Sequence, residues 1–179
     1  MHLPRNALPV RVDRLRAADR RLHPALHKEV LTMISCTEFI PAYSSYFDYL
    51  DQKAGYPAVV AFWEYLSDNF LHNLRDLVTQ KGLEGCYEYW SHTLNEEAAD
   101  FVMTLDDEAG VFTIDMKACP SKGRLLELKH MKPYPHYCEH CDVLYRRVLE
   151  PLGYTYDIDM SRVDKAQCTL TVRKRTESK

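Results

Sequence analysis

Residues 119–141 read CPSKGRLLELKHMKPYPHYCEHC, and this stretch holds three of the chain's 6 cysteines and three of its 8 histidines. Side chains that bind metal or attack carbon are therefore concentrated in one short segment. Cys138-Glu139-His140-Cys141 is a C-x-x-C pair, a spacing at which two thiolates can share one tetrahedral ion if two further ligands arrive from elsewhere. Cys119 and Cys168 are the candidates for those positions, with His130 and His136 as alternatives, and the ion would be zinc. A zinc ribbon would show a second matching pair, and the chain contains none.

Thiol chemistry is the second reading of the same residues. The spacing predicts a helix opening near Pro135, which puts Cys138 in its first turn. There the positive end of the helix dipole and a neighbouring His136 or His140 could lower the thiol pKa. A thioredoxin-like redox role ranks lower, because C-x-x-C would then follow a strand in a parallel βαβ unit and nothing before Cys138 has that pattern. Packing is the competing explanation for several cysteines. Cys36, Cys86 and Cys168 fall on apolar faces, and Cys141 falls on the buried stripe of its own helix. Cys119, His130, His136, Cys138 and His140 fit no amphipathic pattern.

The elements that must position these groups follow from periodicity. Residues 9–35 predict helix, interrupted near Pro24. Tyr43, Tyr46, Phe47 and Leu50 recur at steps of three and four and predict an amphipathic helix ended by Gly55. Pro57 opens the clearest helix, with Phe62, Leu66, Phe70, Leu74 and Leu77 as its core stripe and Gly82 beyond its end. Residues 83–92 predict a further short helix, weakened by about 1 kcal/mol at Gly85. It carries Trp90 and His92, which could line a pocket.

The period then changes to two. Phe101–Leu105 and Val111–Met116 alternate around the loop Asp106-Asp107-Glu108-Ala109-Gly110, which predicts a β-hairpin; that loop lacks the ligand spacing of a calcium site. RLLELKH is ambiguous between a helical turn and a strand. A helix follows from Pro135 to Gly153, with Tyr137, Cys141, Leu144, Val148 and Leu152 as its stripe and Pro151 ending its regular hydrogen bonding. Two alternating strands close the chain, one around Tyr154, Tyr156 and Ile158 and one around Cys168, Leu170 and Val172. The expected fold is α+β in a single domain of 179 residues. Its helical part covers about residues 1–95 and its ββ-α-ββ antiparallel sheet unit about residues 96–175.

The totals exclude some classes. With 23 basic against 26 acidic residues mixed along the chain and a net charge of −3, no summed field favours nucleic acid or an anionic membrane surface. No stretch approaches the roughly 20 apolar residues of a membrane span, and the N-terminus lacks the apolar core of a secretory signal. These features predict a cytoplasmic protein with a small-molecule substrate or ligand and with reduced thiols. They leave homo-oligomerisation open.

The C-terminal third carries a resemblance. Cys119-Pro120, Pro133-x-Pro135-x-x-Cys138, the helix running to Leu152-Gly153-Tyr154 and a last strand with Gln167-Cys168 resemble the L-2-amino-thiazoline-4-carboxylic acid hydrolase family. The ββ-α-ββ half is also similar to the small-molecule-binding domain related to the 4-vinyl reductase. The first resemblance implies hydrolytic opening of a cyclic C–N/C–S unit. Cys138 or a metal-bound water would attack, His136, His140 or His130 would move protons, and Arg124 or Arg146 would hold a carboxylate, with Tyr145 and Trp90 also contacting substrate. The metal, if bound, would be zinc on Cys119, Cys138, Cys141 and Cys168. The alternative is a non-catalytic binding or sensor module whose cysteines are structural. The chain departs from a simple match at Glu139-His140-Cys141, which adds a second thiol after Cys138.

Overall fold

The computed structural model describes residues 39–97 and 99–175, together with the backbone of residues 11–15. The fold is α+β, and the described residues form six helices and a sheet whose four C-terminal strands are antiparallel. The helices are α1 (Phe39–Ala54), α2 (Tyr56–Phe70), α3 (His72–Lys81), α4 (Leu83–Glu96), α5 (Pro120–Glu127) and α6 (Glu139–Leu149). The strands are β1 (Arg11–Leu15), β2 (Asp100–Asp106), β3 (Val111–Ala118), β4 (Tyr154–Asp159) and β5 (Cys168–Lys174), in the spatial order β1-β2-β3-β5-β4. Among the described residues no helix is long and apolar enough to cross a membrane.

The alternating segments form the strands that their period predicts. In β2 and β3, buried and half-buried residues alternate, with Phe101, Met103 and Leu105 facing the core from β2 and Phe112, Ile114 and Met116 from β3. β5 pairs with β3, placing Leu170 opposite Ile114 and Cys168 opposite Met116. β4 closes the other side of β5, with Ile158 opposite Leu170 and Tyr156 opposite Val172. Against this inner face lie α4 and α6, with α3 behind α4, and together they enclose the larger core.

The predicted helix over residues 9–35 is corrected at its start. Residues 11–15 form β1, parallel to β2, with Arg11 opposite Val102 and Leu15 opposite Asp106. Val12 and Leu15 fit a helical stripe, but the unpaired edge of β2 offers backbone partners that a charged segment can take up in extended form. The rest of that predicted helix, with Pro24, His23, His27 and Cys36, lies outside the described residues.

The long helix expected from Pro57 to Gly82 divides at Leu71 (φ −94°, ψ 30°) into α2 and α3. Each half has its own partner: α2 packs on α6, and α3 on α4. The buried stripe of α2 is Val59, Trp63 and Ser67 rather than Phe62, Leu66 and Phe70, and Phe70 is 69% exposed. Both stripes have helical spacing, and only the position of α6 selects between them. Ser67 confirms the orientation, since its hydroxyl donates to the Leu144 carbonyl at 2.7 Å.

A second, smaller core joins α1 and α2 to the segment before α6 through Phe47, Val59, Trp63, Leu125, Tyr134 and Tyr137. A buried backbone tie across its elements is the Tyr134 amide donating to Ser44 Oγ at 2.9 Å, with Ser44 fully buried. Ser44→Ala leaves that amide without a partner, and a loss of about 1–3 kcal/mol of folding stability is expected by urea denaturation. An unchanged midpoint would show that water reaches the amide.

Candidate functional site

A cavity of about 160 Å³ opens between the inner face of the sheet and helices α4, α5 and α6. Four of the cysteines face it: Cys119 at the start of α5, Cys138 and Cys141 around the start of α6, and Cys168 at the start of β5. The thiols share this lining because β3 delivers the chain to Cys119 beside β5. The Cys119 amide also donates to the Ala166 carbonyl at 2.8 Å, which fixes α5 against the loop leading into β5. The sheet contributes Met116, Tyr156 and Ile158, and α4 closes the opposite wall with Trp90 and Leu94, followed by Glu97 just past its C-terminal end.

Helix α6 starts at Glu139, four residues later than Pro135, because residues 135–138 form turns before it. Cys138 is therefore the residue before the first turn of α6, and His140 and Cys141 occupy that turn. His140 Nδ1 contacts the Tyr137 carbonyl. A carbonyl only accepts, so Nδ1 carries the hydrogen and Nε2 presents a lone pair. Nε2 lies 3.5 Å from Cys141 Sγ, and the thiol donates toward it.

Burial governs the charges. The His140 ring packs edge-on to Tyr137 at 4.9 Å between centroids and lies 6.1–6.4 Å from the rings of Tyr43, Phe47 and Trp63. This apolar surrounding lowers the imidazole pKa, opposed by the Tyr137 carbonyl and the Glu97 carboxylate, and keeps the ring neutral. Burial pushes the Cys138, Cys141 and Cys168 thiols up to about 12 and Cys119 up to about 11. Lys122 opposes the rise at Cys138, and the Lys122 and Ser121 amides oppose it at Cys119. Much of Glu97 faces solvent, yet its carboxyl end is enclosed enough for burial to raise its pKa, and it is close enough to His140 to interact with that ring.

The resting thiols are thus protonated at neutral pH. Iodoacetamide is expected to alkylate all four on the order of 10²–10³-fold more slowly than an unperturbed cysteine, because thiolate supply falls tenfold per unit of pKa. Peptide mass spectrometry over a time course checks this. Rapid labelling of any of the four would mean a thiolate stabilised in the native fold.

The cavity gathers Trp90, Cys119, Cys138, His140, Cys141, Tyr145 and Cys168 from the sequence candidates, and leaves the others outside its lining. His136 lies against Tyr56 with the rings tilted and 4.9 Å between centroids, and pairs with Glu139 at 2.6 Å on the surface. His130 is exposed. Arg124 pairs with Glu127 at 3.5 Å. Arg146 is held by Asp142 and Glu150 at 2.6 and 3.0 Å, behind the Tyr156 ring. His92 pairs with Glu96 and does not line the cavity. Among the described residues the Lys or Arg side chain that does line it is Lys122; neither it nor Ser121, Glu97, Tyr137 or Tyr156 is marked as a site residue by the sequence, where Tyr137 and Tyr156 read only as core positions. Alternation identified the strand holding Tyr156, but no local signal says which face of a strand meets a cavity.

Among the described residues, no three His, Cys, Asp or Glu side chains are grouped to hold a metal ion. The cysteines share a cavity without converging on one point, so the donor set as arranged does not fit zinc. Comparison with protein-family models, with curated proteins and with solved structures gave no match.

Proposed function

We propose that this protein is a hydrolase of small cyclic C–N/C–S compounds, with Cys141 as nucleophile and His140 as its base. The observation that carries the reading is the Cys141–His140 contact, with its tautomer set by the Tyr137 carbonyl, inside a cavity lined by aromatic side chains. A neutral imidazole is the form that can take a proton, and its lowered pKa keeps it available.

For a 2-amino-thiazoline the steps balance as the addition of one water. Cys141 sulfur bonds to the amidine carbon while His140 Nε2 takes the thiol proton. The ring C–S bond breaks, and the imidazolium returns that proton to the departing sulfur. Water, deprotonated by His140, then adds to the same carbon. The bond to Cys141 breaks and its sulfur regains the proton, leaving a carbamoyl amine and a free thiol. The Glu97 carboxylate favours the transient imidazolium, and Lys122 takes the carboxylate-binding role that the resemblance implies for Arg124 or Arg146. Cys138 is the second candidate nucleophile, and Lys122 lies close enough to stabilise its thiolate.

The alternative, a binding module without chemistry, is favoured by one observation: all four thiols are protonated at rest. Thiol release from 2-amino-thiazoline-4-carboxylate separates the two. Turnover by the parent protein, lost in Cys141→Ala, supports the hydrolase; binding without turnover supports the module.

A further inference from the structure

We infer that the Tyr156 hydroxyl is the anchoring hydrogen-bond donor of the cavity, and that it selects a small flat ring bearing a neutral acceptor such as a heteroaromatic nitrogen. This rests on the reading of the cavity as a ligand site, and it holds whether or not hydrolysis follows.

Tyr156 is fully buried and lines the cavity, yet its hydroxyl has no hydrogen-bond partner. Two other buried side-chain atoms share that condition among the described residues, Trp63 Nε1 and Arg124 Nε, and neither residue lines the cavity. Buried hydroxyls are almost always paired, and leaving one unpaired is costly unless something supplies the partner. The groups around this hydroxyl do not supply it. Cys141 and Cys168 are protonated thiols and weak acceptors, the Tyr145 phenol is engaged by Trp90, and Asp142, the nearby carboxylate, is engaged by Arg146 at 2.6 and 3.1 Å. Burial holds the Tyr156 phenol well above its ordinary pKa, so it stays protonated and donates.

The shape and charge of the surroundings define what it donates to. Trp90, Tyr137, Tyr145 and Tyr156 itself favour a planar ring, and Met116 and Met160 add polarizable sulfur. Among the described residues no cation acts on the hydroxyl: Arg146 lies over the Tyr156 ring, 5.7 Å from its centroid, and is held by two carboxylates, and Lys122 lines the cavity but is not among the groups that act on the phenol. An anion seated on the hydroxyl itself would be desolvated without a cation to compensate it, whereas a ring nitrogen or carbonyl oxygen would not, so a carboxylate on the same molecule would go to Lys122 instead. The hydroxyl lies near the Cys141 thiol, so an acceptor anchored there is presented to that side chain.

Benzothiazole and benzothiophene form a matched probe pair, equal in shape and differing in the ring nitrogen. By calorimetry on the full chain, benzothiazole is expected to bind about five- to tenfold more tightly, the worth of one neutral hydrogen bond. In Tyr156→Phe the two affinities become equal while the melting temperature holds or rises. Equal affinities in the parent, failure of both probes to bind, or a preference that survives in Tyr156→Phe would each overturn the inference. If the variant does not fold, the parent's ratio decides alone. Neither probe has a ring that water opens in this scheme, so loss of the hydrolase reading would leave these ratios untouched. Binding of both probes with equal affinity would remove the anchor while leaving the cavity a ligand site.

Discussion

Cys141→Ala is expected to lower the hydrolysis of 2-amino-thiazoline-4-carboxylate by ~10³-fold or more, since removing a nucleophile eliminates the covalent path rather than weakening it. The melting temperature should change little, because the thiol donates to an imidazole that lies between the cavity and the smaller aromatic core and is tied independently to the Tyr137 carbonyl. Cys138→Ser is expected to retain most turnover. The reverse pattern, with activity surviving in Cys141→Ala and lost in Cys138→Ser, would transfer the role to the thiol beside Lys122.

The pH profile gives this prediction a second reading. Burial lowers the His140 pKa below its ordinary 6.5, so the base form persists below that pH and the acid limb of turnover should lie under 6.5. Stability follows the same group. The unfolded chain binds a proton at His140 near pH 6.5, while the folded chain resists doing so. Folding stability is therefore lost as pH falls below the unfolded value. An acid limb above 6.5 would indicate that another group limits the rate.

Gly85→Ala is expected to destabilise the fold by about 3 kcal/mol or more. That corresponds to a fall in melting temperature of roughly 6–12 °C for a chain of this size. A Cβ at Gly85 would lie 2.2 Å from the Leu77 carbonyl oxygen, 2.4 Å from its carbon and 2.8 Å from the Val78 nitrogen. These are backbone atoms of α3, so no side chain can swing aside, and the two helices must separate. The same movement displaces Trp90, Leu94 and Glu97 on the cavity wall, so ligand binding should weaken together with stability. Denaturant titration checks the first effect. A change under about 0.5 kcal/mol would mean that α3 and α4 slide apart at little cost.

Gly85 also shows how far local reasoning reaches. Read along the chain, it is a residue that weakens a helix by about 1 kcal/mol. In the fold it is the residue that lets α4 approach α3 closely. The sequence carries the cost of that choice, and only the packing carries its reason.

The strands were the most legible part, since alternation in residues 101–105, 111–116, 154–158 and 168–172 depends on one buried face and needs no knowledge of the partner strand. β1 was missed because its support is a parallel edge contact with β2, about ninety residues away in sequence, and Val12 and Leu15 also suit a helix. Val59, Trp63 and Ser67 displaced Phe62, Leu66 and Phe70 for a similar reason: a helix rich in aromatic residues has two usable faces, and the location of α6 decides between them.

The stretch from Cys119 to Cys141 stood out by residue type alone; its three cysteines line one cavity, which Cys168 joins through the register of β5 against β3. Type and spacing could not order its members. The surface pair of His136 with Glu139, the clamping of Arg146 by Asp142 and Glu150, and the aromatic enclosure of His140 are all set by neighbours in space. The sequence by itself determined the α+β class, the sheet unit and the segment rich in thiols, because each depends on local period or composition. The tertiary structure decided which thiol meets which base, which cation faces the cavity and which hydroxyl is left without a partner, because burial and hydrogen bonding belong to the assembled chain.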